Sequence, residues 1–138
     1  SQRYVKFTKG VETVKPHTVE DDEEASKVFD EAIEAVIEGY QKLLEMGIPA
    51  EDARYLLPNA AETKIVITMN IRELLHFFSL RCCNRAQWEI RELAHKMLEL
   101  VKPTAPYIFM DAGAPCVRGN CPEGKMTCGN PYPKVVRD

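Results

Sequence analysis

Apolar and polar residues alternate along residues 3–15, RYVKFTKGVETVK, on either side of Gly10, and predict extended backbone in one or two short strands. The period then changes. Val28, Phe29, Ala32, Ile33, Val36, Ile37, Tyr40, Leu43 and Leu44 recur at three and four, which predicts a long amphipathic helix over about 20–46. Glu20, Asp21, Asp22, Glu23 and Glu24 sit in its first turns, where carboxylates favour the positive end of the helix dipole, and Gly47 is a natural stop. A solvated helix start explains that acidic run better than a metal site does.

A short helix fits 50–57, AEDARYLL, between Pro49 and Pro58. The stretch ETKIVITMN alternates and is rich in β-branched residues, predicting a strand over 62–69. Two helices follow, each introduced by an amide with a carboxylate or amide three residues on: Asn70 with Glu73, and Asn84 with Gln87. The second carries a stripe of Ala86, Ile90, Leu93, Ala94, Met97, Leu98 and Val101, and should end before Pro103. From 103 to 138 the chain holds six of its nine prolines and four of its seven glycines, which predicts loop and short turns.

The resulting fold class is α+β: predominantly helical, with strands too few and short for a sheet of their own. Such strands are expected to pair with sequence absent from this chain or with another subunit. At 138 residues the default is a single domain over 1–138, with 103–138 as its Pro/Gly/Cys-rich tail.

Composition narrows the function classes. A formal charge of −3 supplies no basic field for nucleic acid, and no apolar run reaches the ~20 residues that span a bilayer. Five cysteines without a secretory leader fit a reducing, cytoplasmic setting.

The arginines of 70–91, NIRELLHFFSLRCCNRAQWEIR, carry the chemistry. Arg72 and Arg85 each follow an asparagine at an expected helix start, where a cation meets the positive dipole end and costs a few tenths to about 1 kcal/mol. A bound phosphate or carboxylate would correct both. Arg81 closes the first of these helices, where a cation is favoured. Arg54, among Ala53, Tyr55, Leu56 and Leu57, is a fourth candidate for a polyanion pocket. The bland alternative is a set of surface salt bridges.

Taken in order, SQRY, ARYLLP and MNIRELLHFFSLRCCNRAQWEIR resemble the C-terminal part of flavin-dependent thymidylate synthase, the ThyX type. The resemblance runs nearly to the chain end and is strongest over 49–95. It implies that Ser1, Arg3 and Tyr4 end the family signature beside the substrate dUMP, and that Arg54 and Arg81 also hold dUMP. Arg81 would lie at the pyrimidine ring as the catalytic cation. Asn70, Arg72, His76, Leu80 and Arg85 would contact FAD. This sequence departs from the family at two of them, since members often carry an amide where His76 stands and a histidine where Arg85 stands. The implied reaction is reductive methylation of dUMP to dTMP, with methylenetetrahydrofolate supplying carbon, NADPH the hydride, and a homotetramer as the working assembly. The RHR portion of the signature is not in this chain, so the polypeptide alone is expected to be inactive.

Cys82 and Cys83 adjoin this segment and are expected to pack. Cys116, Cys121 and Cys128 offer three thiolates with no fourth cysteine nearby in the tail, leaving His17 and His95 as conceivable further donors, against an ordinary loop or an adventitious disulfide. His95 is expected to be an exposed or capped side chain. The competing functional class is a non-catalytic helical oligomerisation module, built on the long helix and Trp88.

Overall fold

The computed structural model describes residues 11–135. Ser1, Arg3, Tyr4 and most of the first expected strand therefore lie outside the described residues. The chain divides into two compact units, one ending at Val66 and one beginning at Ile67.

In the first unit, α2 (Glu23–Glu45) is the expected long helix, and a short α1 (His17–Glu20) precedes it. The break has a local cause. Asp22 adopts extended backbone (φ −119, ψ 114) and its carboxylate accepts the N–H of Ala25 at 2.9 Å, so it caps α2 rather than continuing a helix. At the other end Gly47 takes φ +83, its N–H reaches the Leu44 carbonyl, and the Ile48 N–H reaches that of Leu43, both at 3.0 Å. This pair of bonds satisfies carbonyls that the helix end leaves open.

Next come α3 (Ala50–Ala53) and a 3-10 turn at Arg54–Leu56, which together occupy the expected 50–57 helix. They pack on α2 around the fully buried Tyr40 and Ala53. Gly39 permits this approach, because a Cβ there would stand 3.3 Å from Leu56 Cδ1. Lys15 ties the incoming chain to α2, donating to Ser26 Oγ at 2.6 Å and Asp30 Oδ2 at 2.8 Å.

The expected strand over 62–69 has no regular secondary structure and no ladder among the described residues. One isolated antiparallel bridge joins Thr13 to Ala61, flanked by Val14 N–H to Ala60 O and Glu62 N–H to Glu12 O, both 2.8 Å. Beyond it Ile65, Val66 and Ile67 are 76, 99 and 60% exposed. Among the described residues there is no sheet. The predominantly helical part of the expectation holds, and apart from that bridge the expected strands form no ladder among the described residues.

The second unit contains α4 (Ile71–Arg81), α5 (Trp88–Val101) and α6 (Pro106–Phe109), then 3-10 turns at Pro115–Val117 and Gly124–Met126. Asn70 caps α4 as expected, accepting the Glu73 N–H at 2.9 Å. The cap of α5 differs. Gln87, not Asn84, accepts from Glu89 and Ile90 N–H at 3.0 and 3.1 Å, and 82–87 forms a loop.

The tail is mostly turns, as expected, yet it builds the core. Phe109, Ala112 and Ala114 are buried with Phe78 and Cys82 at the end of α4 and Ala94 of α5. Gly113, at φ +132, lets the small-residue run fold onto Leu98 and Val117.

Candidate functional site

The face of α4 opposite the core carries three of the expected site residues. Leu74, Leu75 and Phe78 pack inward, whereas Arg72, His76 and Leu80 recur at every fourth position and are exposed. Two cationic or titratable heads and one apolar side chain thus share a single stripe. Arg72 stands in the first helical turn beside the Asn70 cap, where the first N–H groups are open on one side. It forms no hydrogen bond or ion pair among the described residues.

Arg81 lies on the flank of α4, in its last turn, where the partial negative charge of the helix end supports a cation. It too is exposed and has no hydrogen bond or ion pair among the described residues. With Leu80 and Arg85 it lines a cavity of about 430 Å³, whose opposite wall is the tail, including Cys116, Cys121 and Tyr132. The tail wall was not anticipated from the sequence. The only cue was the run Phe109 to Ala114, apolar and small enough to pack.

Arg85 does not occupy a helix start. It sits in the 82–87 loop, and its Nη1 donates to the Met126 carbonyl of the tail. Its neighbour Asn84 donates through Nδ2 to Asn130 O at 2.8 Å, while the Asn84 carbonyl accepts from Arg91 Nη1 at 2.9 Å. The argument from an unfavourable dipole therefore holds for Arg72 alone. For Arg85, the salt-bridge alternative also fails, since its described partner is a backbone carbonyl.

His95 is capped from the tail, with Nε2 3.2 Å from Tyr132 Oη and the two rings 5.5 Å apart. Burial pushes the Tyr132 hydroxyl above its ordinary value, against the opposing charge of Arg91. Cys82 is fully buried, and desolvation pushes its thiol up to about 11. That is the behaviour of a packed filler, as expected, rather than of a nucleophile.

Arg54 belongs to the first unit, half-buried, with Nε donating to Ala50 O at 3.0 Å. Thus Leu80, Arg81 and Arg85 share one cavity, Arg72 and His76 share the exposed stripe of α4 with Leu80, and Asn70 shapes the entry to that helix. Among the described residues no helix is long and apolar enough to cross a membrane.

The sequence model of the family described as Thymidylate synthase complementing protein matches residues 1–107. A protein of Geobacter sulfurreducens named flavin-dependent thymidylate synthase is 59% identical over 130 residues, covering 94% of this chain and 56% of the relative. Proteins of the same name from Clostridium tetani and Nitratidesulfovibrio vulgaris are 46% and 47% identical, covering 94% and 96% of this chain and 58% of each relative. The chain thus spans little more than half the length of these curated relatives.

Proposed function

The chain belongs to the Thymidylate synthase complementing protein family, and from that membership we propose that it forms the C-terminal part of an enzyme that reductively methylates dUMP to dTMP. Methylenetetrahydrofolate is the carbon donor in this reading and NADPH the reductant. FAD is the resident cofactor, which when bound relays hydride.

The observation that carries the reading is the exposed stripe of α4. Arg72, without a described partner at an open helix start, suits an anionic phosphate, and Leu80 offers an apolar wall two turns along. His76 lies between them. This donor set fits a flavin nucleotide, which presents both phosphate and a planar apolar ring. Asn70 holds the helix entry by capping it, and Arg85 reaches the same neighbourhood from the loop that Met126 restrains.

Arg81 is assigned to dUMP. A guanidinium on an exposed flank, without a partner among the described residues, can face the uracil oxygens, where it stabilises negative charge as it develops. Arg54 and, outside the described residues, Ser1, Arg3 and Tyr4 are the further dUMP contacts. Self-association, with the homotetramer as the assembly, is supported by the exposed Val28 of α2 and by the exposed Ile65, Val66 and Ile67, which join no ladder among the described residues. That segment is assigned to pairing with sequence outside this chain or with another copy. The same exposed residues favour the second reading, a non-catalytic oligomerisation module.

The full-length protein tests both. Flavin absorbance after purification and a dUMP titration should each be positive. Arg81→Ala should weaken dUMP binding roughly 10- to 100-fold with flavin retained, as expected for a lost charge-assisted contact. A folded oligomer that takes up neither flavin nor dUMP would leave only the oligomerisation module standing.

A further inference from the structure

The tail wall of the cavity beside Arg81 carries one aromatic ring. Tyr132 lines that space of about 430 Å³ together with Leu80, Arg81 and Arg85, and among the described residues no other lining side chain is aromatic. A cavity of this size suits a small organic ligand. Guanidiniums recognise the anionic groups and edge oxygens of such a ligand, whereas a π face recognises a planar ring. A nucleotide presents both.

The ring is set in place by the tail itself. Pro131 and Pro133 bracket Tyr132, and the proline after it biases its backbone to extended conformations. On one side Asn84 Nδ2 donates to the Asn130 carbonyl at 2.8 Å, and on the other the Val135 N–H donates to the Val117 carbonyl at 3.0 Å. Between these two ties Tyr132 is half-buried and packs against the core cluster that contains Phe78 and Phe109.

Its hydroxyl is engaged elsewhere. Tyr132 Oη lies 3.2 Å from His95 Nε2, and the two ring centroids are 5.5 Å apart. His95 does not line the cavity, so the phenol tip is anchored outside it and the ring is the part that faces inward. A side chain held at both its backbone and its tip loses little freedom when a ligand ring settles on it. No rearrangement of the tail is required.

We propose that Tyr132 is a ring-stacking residue of the nucleotide site, its face receiving the planar heteroaromatic ring of a ligand whose anionic groups or ring oxygens meet Arg81 and Arg85. This rests on the thymidylate reading and deepens it, because it makes the tail a ligand-binding wall. Two rings in that reading have the required chemistry: the uracil of dUMP and the isoalloxazine of FAD.

The test uses the full-length protein with Tyr132→Phe, which keeps the π face, and with Tyr132→Leu and Tyr132→Met, which fill the wall without one. Helicity confirms that each is folded. Titration of flavin-stripped protein with FAD reads the isoalloxazine arm, and titration of FAD-saturated protein with dUMP reads the uracil arm. On at least one arm, Tyr132→Leu and Tyr132→Met should bind at least roughly 10-fold more weakly than Tyr132→Phe, since stacking is lost with the ring and not with its hydroxyl. The arm that falls identifies the stacked ring. Equal affinity of Tyr132→Phe and the two non-aromatic variants on both arms overturns the stack and leaves the thymidylate reading standing. A wild type that binds neither FAD nor dUMP overturns both.

Discussion

The ring of Phe109 meets the ring of Phe78 edge-on, with centroids 6.3 Å apart and planes at 74°. One belongs to the tail and the other to α4, so the Pro/Gly-rich segment is a structural half of the second unit. Edge-to-face aromatic pairs add about 0.5–1.5 kcal/mol beyond the area they bury. Phe109→Ala removes this contact and opens a cavity beneath Ala112 and Ala114. It should cost about 3–5 kcal/mol in urea unfolding, as large-to-small core changes do. A loss under about 1 kcal/mol would mean that the tail is not packed on α4.

The two amides before α5 should separate in their effects. Gln87→Ala removes the side chain that accepts from Glu89 and Ile90, and should cost about 1 kcal/mol with reduced helicity. Asn84→Ala should leave the helix intact and release the tail at Asn130, read as faster proteolytic nicking near 118–131. Equal helicity loss from both would return the cap to Asn84.

Gly47 tests backbone strain in isolation. A Cβ there meets nothing within 4 Å, yet φ is +83, so Gly47→Ala carries only the left-handed cost. The expected destabilisation is about 1 kcal/mol, seen as a lower thermal midpoint. No change would argue that the α2 terminus rearranges freely.

Stability should fall at alkaline pH because of Cys82. Its thiol ionises at about 11 when folded, against an ordinary 9.0. Above pH 9.0 the unfolded chain gives up this proton and the folded chain does not, so ionisation favours unfolding until the folded thiol also titrates near 11. The raised Tyr132 hydroxyl acts in the same direction. Cys82→Ala should flatten the decline between those values in pH-dependent denaturant midpoints, and an unchanged slope would remove Cys82 as its source.

The sequence by itself determined what depends on neighbours within about four residues. The apolar stripes of α2 and α5 set those helices, Gly47 and Pro103 marked their ends, and Asn70 capped α4 because capping is a contact between residues three apart. That Arg72, His76 and Leu80 share a face of α4 follows from the same cause, since spacing along one helix fixes which residues lie on one side. Some local competitions were not decided by pattern. Asn84 and Gln87 are both amides at plausible distances, and Asn84 was drawn away by Arg91 and by Asn130, 46 residues on. Arg85 found its partner 41 residues away, at a carbonyl that has no side-chain signature. The burial of Phe109 and the gathering of Cys83 with three tail cysteines likewise exist only once the chain folds back on itself. Tertiary structure decided these because hydrogen-bond partners and packing surfaces are chosen by proximity in space, which a linear pattern of residue types does not encode.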